Sequence, residues 1–156
     1  MVPERVRRLG ATGFTLVELT VVVAILAIVA GLSVPFFSSY HQASKLRSAA
    51  DEMATVLNGA RYQAIKQNTS VCVAVGGHRV QYRLGGCAGG AWLGASTDGA
   101  GFIALQNSLH VAGTTANVVF TNLGAAAVGG TYTIRNPADG RTLTVTVAGS
   151  GRITVP

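Results

Sequence analysis

From Leu19 to Val34 every side chain is apolar or small, and no charge interrupts the run. Extended back to Phe14, the stretch is long enough to cross a bilayer core as a helix, which takes about 20 residues. Residues 14–37 are therefore read as a single-pass transmembrane helix, with an ordinary signal anchor as the plain alternative. Glu18 is the exception near one end. A charge inside hydrocarbon costs about 2.5–3.5 kcal/mol even on the lenient insertion scale, so this carboxylate needs a partner.

Past Pro35 the helical pattern continues, amphipathic over 38–68. Leu46, Ala50, Met53, Leu57, Ala60 and Ala64 recur at spacings of four and three, with Ala49 and Ile65 widening the stripe. Such a face is expected to lie on a sheet. Continuous from Phe14 to Lys66, the helix would measure about 80 Å at 1.5 Å per residue. Pro35 lacks an amide donor and is expected to kink it, with Gly31 adding local freedom.

From Ser70 the period changes to two. Strands are expected at 70–75 and 78–84, turning at Gly76-Gly77, with Val80, Tyr82 and Leu84 on one face and Arg79, Gln81 and Arg83 on the other. Further strands are expected at 102–105, 117–121, 132–135, 141–147 and 152–155, and the glycine-rich 85–101 reads as loop. The fold class is α+β: a long N-terminal helix packed on an antiparallel β-sheet domain spanning 69–156.

Composition adds a basic domain with an aliphatic core. The chain is 49% hydrophobic and 12% charged, with twenty glycines and a formal charge of +6. Beyond Pro35, nine basic residues face four acidic ones. A basic surface suits nucleic acid or anionic lipid, and it is equally a solubility device. Arg5, Arg7 and Arg8 precede the apolar run, so the positive-inside rule keeps the N-terminus cytoplasmic and exports the domain. Cys72 and Cys87 then lie in an oxidising compartment, where a disulfide is the default and two buried thiols the alternative.

Gly13-Phe14-Thr15-Leu16-Val17-Glu18, behind a basic leader and before an apolar helix, resembles the class III signal of type IV prepilins and pseudopilins. The resemblance implies that residues 1–13 are a leader, cut between Gly13 and Phe14 by a prepilin peptidase that also methylates the Phe14 amine. It further implies that Glu18 pairs with the amine of a neighbouring subunit's Phe14 during assembly, a buried charge being expensive when unpaired. The second half resembles the GspH/FimT group of minor pseudopilins and minor pilins. Ala60-Arg61-Tyr62-Gln63-Ala64, Asn68, Val71-Cys72-Val73, Trp92, Gly94, Asp98 and Gly149-Ser150-Gly151-Arg152 carry it. The implied protein is a type IV pilin-like subunit of the bacterial inner membrane, with a periplasmic domain. It would assemble with other pilin or pseudopilin subunits in type II secretion or a type IV pilus and contact secreted cargo.

No catalytic set appears, and the reading is a non-enzymatic protein. His41, His78 and His110 have no metal-ligand spacing, so no metal and no cofactor is expected. Asp98 and Asp139 beside glycines read as turn residues. DNA is the alternative partner. Arg135, Arg141 and Arg152 on the last three strands are expected to converge, and FimT-like uptake pilins bind DNA through glycine-arginine-any-arginine. Here Gly151-Arg152-Ile153-Thr154 lacks the second arginine, and a few phosphate contacts alone give weak, salt-dependent binding.

Overall fold

The structure, a computed structural model, describes residues 13–105, 110–113 and 116–156, and leaves the side chains of 33–36, 112 and 113 undescribed. The leader arginines and the Pro35 side chain thus lie outside the described residues. Helix α1 (Leu16–Lys66) comes first, followed by ten strands among the described residues. The chain divides into two compact units at the Ser39–Tyr40 junction.

In the first unit, α1 exposes its apolar surface along the whole of Leu16–Leu32, valines and isoleucines included. Among the described residues no single helix is long and apolar enough to cross a membrane. The pair Leu16–Leu32 and Phe37–Lys66, taken together across a break, passes by length and composition.

In the second unit the stripe on α1 is buried as its spacing predicts: Leu46, Ala49, Ala50, Met53, Leu57, Ala60 and Ala64 all enter the core. Ile65, expected to widen the stripe, is half exposed instead. It lies about 100° round the helix from the fully buried Ala64, beyond the edge of the face that meets the core. A Schellman-type cap ends α1: Asn68 N–H bonds the Ile65 carbonyl, and Thr69 N–H bonds that of Ala64. Asn68 holds the left-handed conformation this cap needs (φ 50°), and its Oδ1 accepts from the Asn122 amide at 2.9 Å.

The strands form two antiparallel sheets. In the first, β1 (Val71–Gly76) lies between β2 (Arg79–Leu84) and β6 (Val118–Phe120). The far edge of β2 takes β3 (Gly90–Ala91) and β4 (Phe102–Ala104), and β7 (Ala126–Val128) closes the other side. The second sheet runs β10 (Ile153–Thr154), β9 (Thr142–Val147), β8 (Gly130–Arg135), β5 (His110–Gly113). One core joins the helix stripe to Val71, Val73, Val80 and Tyr82 of the first sheet and Tyr132, Ile134, Val145 and Val147 of the second.

Three departures from the sequence reading have physical causes. The β1–β2 turn is Gly77-His78, since Gly76 still pairs with Arg79 and Gly77 takes the positive φ. Strands β3, β5 and β7 were not expected; each has four residues or fewer, too few to establish a period. Gln81, on the face opposite Val80 and Tyr82 and between two arginines, is nevertheless buried. Its amide donates to the Ala100 carbonyl at 2.9 Å and its Oε1 accepts from Arg83 Nε at 3.0 Å, so residues 85–101 cover that face.

Candidate functional site

Phe14 is 83% exposed, and Thr15 starts the helix behind it. The Thr15 Oγ1 accepts from Glu18 N–H at 3.2 Å, and Glu18 Oε2 accepts from Thr15 N–H and from its hydroxyl, each at 3.1 Å. This reciprocal arrangement is a capping box, which satisfies two amides that the start of a helix otherwise leaves open. It puts a carboxylate on the first turn, where the helix dipole favours negative charge. The sequence reading overlooked the box, although Thr15-x-x-Glu18 ahead of an apolar run is its signature. Glu18 thus has local donors within its own chain, one residue from Phe14.

A disulfide joins Cys72 to Cys87. Cys72 is fully buried and pairs across strands with Arg83, so its side chain lies on the Gln81–Arg83 face of the sheet. The bond ties the start of the glycine-rich loop onto that face. Arg83 adds a hydrogen bond to the Cys87 carbonyl at 3.2 Å. Further along, Trp92 turns to the helix side, its ring centroid 5.6 Å from that of Tyr82. Gly94 lies directly beneath the indole, where any side chain would occupy the same space.

The two candidate turn carboxylates cap their turns. Asp98 Oδ1 accepts from the amides of Ala100 and Phe102, and Asp139 Oδ1 from that of Arg141. Among the described residues no group of His, Cys, Asp and Glu is placed to hold a metal ion.

The three candidate arginines are not brought together. Arg135 pairs with Thr142 at one end of the β8–β9 ladder, and Arg141 precedes Thr142. Arg152 precedes Ile153, which pairs with Val147 at the other end. Five residues of strand separate the two ends, about 17 Å at 3.4 Å per residue. Arg141 is also engaged by Asp139 (3.6 Å). Gly151 has a structural reason of its own. It sits at φ 80°, packed against the Gly124 carbonyl where a Cβ would collide. The structure instead places His110 directly opposite Arg135, a pairing hidden in the sequence by the distance between β5 and β8.

Residues 49–151 match the family described as Type II transport protein GspH, and residues 8–34 match the prokaryotic N-terminal methylation motif. The chain matches no curated protein sequence. Among solved structures it is similar to the minor pseudopilin EpsH from the type 2 secretion system of Vibrio cholerae. The TM-score is 0.54 at 12% identity, covering 72% of this chain and 96% of that one. It is also similar to the type IV minor pilin FimU of Pseudomonas aeruginosa, with a TM-score of 0.51 at 18% identity over 71% and 92% of the two chains. These likenesses establish the type IV pilin-like fold, a long N-terminal helix followed by an antiparallel β domain.

Proposed function

Since this chain belongs to the type II transport protein GspH family, we propose that it is a minor, non-enzymatic subunit of a type IV filament machine. The filament is that of type II protein secretion or of a type IV pilus. On this reading residues 1–13 are a leader and residues 14–37 the membrane and filament-core segment. Residues 38–68 continue the helix, and 69–156 form a periplasmic domain that meets other subunits or cargo. A prepilin peptidase cuts between Gly13 and Phe14 and methylates Phe14. The inner membrane holds the product until it assembles.

One observation carries the proposal: an apolar helical surface, exposed from Phe14 to Leu32, begins at a capped carboxylate. That much apolar area has to be covered, by lipid before assembly and by neighbouring helices after it. Glu18 is suited to both states. Its capping box supplies donors within one chain, and exchanging them for a neighbour's Phe14 amine selects the register of assembly.

Mass spectrometry of the mature N-terminus tests the processing step. The expected species begins at methylated Phe14; an intact Met1, or a cut after Ala30, sinks the reading. Replacing Glu18→Ala is expected to leave cleavage largely intact and to impair incorporation into filaments, and normal incorporation would count against the pairing. Co-isolation with other minor pseudopilins and a secretion defect on deletion distinguish the secretion machine from a pilus.

A further inference from the structure

Three segments of the second unit converge at Gly124. Its Cα lies against α1, where an added Cβ would stand 3.0 Å from both Arg61 Nε and Ile65 Cδ1. Its carbonyl lies against Gly151, in the turn between β9 and β10. Asn122, in the same β6–β7 turn as Gly124, donates to the Asn68 side chain at the helix cap at 2.9 Å. Asn122 and Gly124 thus hold the turn on the helix. Leu123, between them, is 85% exposed at a turn position that polar residues usually fill.

Around Leu123 the surface is apolar and of one charge sign. Ile65 and Tyr62 are both exposed, and on a helix Ile65 neighbours Arg61 and Tyr62, which in turn neighbours Lys66. Residues 53–68, 117–134 and 142–156 supply the three segments; they carry Arg61, Lys66 and Arg152 and not one carboxylate. The nearest acid along α1, Glu52, precedes Arg61 by nine residues, about 14 Å at 1.5 Å each. Arg61 is half-buried, and its Nε is buried without a hydrogen-bond partner among the described residues. Packing against Gly124 and Ile65 holds this side chain, so little freedom is left to lose on binding. A guanidinium partly withdrawn from water also gains more from a carboxylate than a solvated one does.

We propose that the Leu123–Ile65–Arg61 surface docks a segment of another filament subunit in which carboxylates flank an apolar side chain. The inference rests on the subunit reading for the source of that segment, and on the second unit alone for the surface. Exposed leucine, isoleucine and tyrosine add nothing to a contact with phosphodiester, whereas an apolar centre beside cations fits an acidic polypeptide. Within the second unit, Asp98 and Asp139 cap turns and meet Arg79 and Arg141 (3.9 and 3.6 Å), and Asp51 follows Arg47 by one helical turn. A second copy of this chain would therefore bring a cation with nearly every carboxylate.

The test uses the full chain in phosphatidylcholine nanodiscs and a fluorescein-labelled peptide of alternating glutamate and leucine, followed by anisotropy against empty discs. The expected result is saturable binding, about tenfold tighter than that of a glutamate–serine or a lysine–leucine peptide, as one central contact is worth. Leu123→Ser, at an exposed side chain, and Arg61→Gln each weaken it about tenfold. Arg135→Gln, at the other end of the β8–β9 ladder, leaves it unchanged. Equal binding of the three peptides, or binding that survives both variants, overturns the proposal. So does duplex DNA that binds more tightly than the peptide and is lost in both variants, or self-association lost in Leu123→Ser. Failure of the peptide removes this proposal alone. An uncut N-terminus removes the subunit reading and with it the source named here.

Discussion

The Tyr82 hydroxyl donates to the Val56 carbonyl at 2.5 Å, beside Gly59, where an added Cβ would stand 2.9 Å from the same oxygen. The bond stitches the helix to the sheet, and it is the absence of a side chain at 59 that lets the ring come so close.

That geometry predicts a sign reversal. Alanine in place of a helical glycine ordinarily stabilises by about 1 kcal/mol. Here Gly59→Ala crowds a buried hydroxyl off its acceptor, which costs about 1–3 kcal/mol, so net destabilisation is expected. In a Tyr82→Phe background the hydroxyl is gone, and Gly59→Ala should become stabilising. Denaturant midpoints of the four chains measure the coupling; additive effects would show that the contact carries no energy.

Tyr132 of the second sheet makes a corresponding pair of bonds to the first. Its hydroxyl accepts from Val118 N–H at 3.1 Å and donates to the Val73 carbonyl at 3.2 Å, bridging β1 and β6 where their pairing ends. Burial pushes its pKa up from 10.0 to about 12, partly offset by the Val118 amide. Burial raises that of Tyr82 as well. A raised pKa means the folded state holds the proton longer than the unfolded one. The contribution is therefore complete below the ordinary tyrosine value and is lost as pH rises from 10 towards 12. For Tyr132 the loss is about 2–3 kcal/mol at 1.36 kcal/mol per unit. Stability measured across this range should fall, and less steeply in Tyr132→Phe. An unchanged slope in that variant would contradict the assignment.

Reducing the disulfide should weaken the domain without unravelling its sheets. Cys72 and Cys87 are 15 residues apart, a loop whose closure is worth about 3 kcal/mol in the chain-entropy model. Cys72→Ser with Cys87→Ser is expected to lower the denaturant midpoint accordingly. Amide exchange should rise first in 85–101, the loop the bond secures. Uniform exchange across the domain would argue against such a local role.

Gly94→Ala is expected to displace the Trp92 ring from Tyr82, because a methyl at 94 occupies the indole's place. Trp92 is the sole tryptophan, so its emission reports the change directly. A red shift with near-native secondary structure is expected. Emission identical to the parent would mean the loop backbone moves to make room.

Much of this was legible from spacing. The buried stripe from Leu46 to Ala64 follows from a helix period meeting a flat sheet, and the end of α1 from Asn68, one of the few residues that tolerates a left-handed cap. The Thr15–Glu18 box was legible too, in a pattern of four residues, because capping is local chemistry. Short strands were not: β3 and β7, of two and three residues, exist only as edges added to β2 and β6, and the partner of β5 lies about twenty residues further on. Gln81 misled for a related reason, since alternation marks faces but does not say which of them a later loop will cover.

By itself, the sequence determined the anchor-like apolar run with its carboxylate, the match to the N-terminal methylation motif, and the α+β order of elements. These are properties of contiguous residues, set by local periodicity and local hydrogen bonding. Tertiary structure alone decided which basic residues meet. Strand register sent Arg152 to the far end of the ladder and set His110 against Arg135. Register is a long-range choice, made when side chains from separate strands compete for one core, and no stretch of sequence contains it.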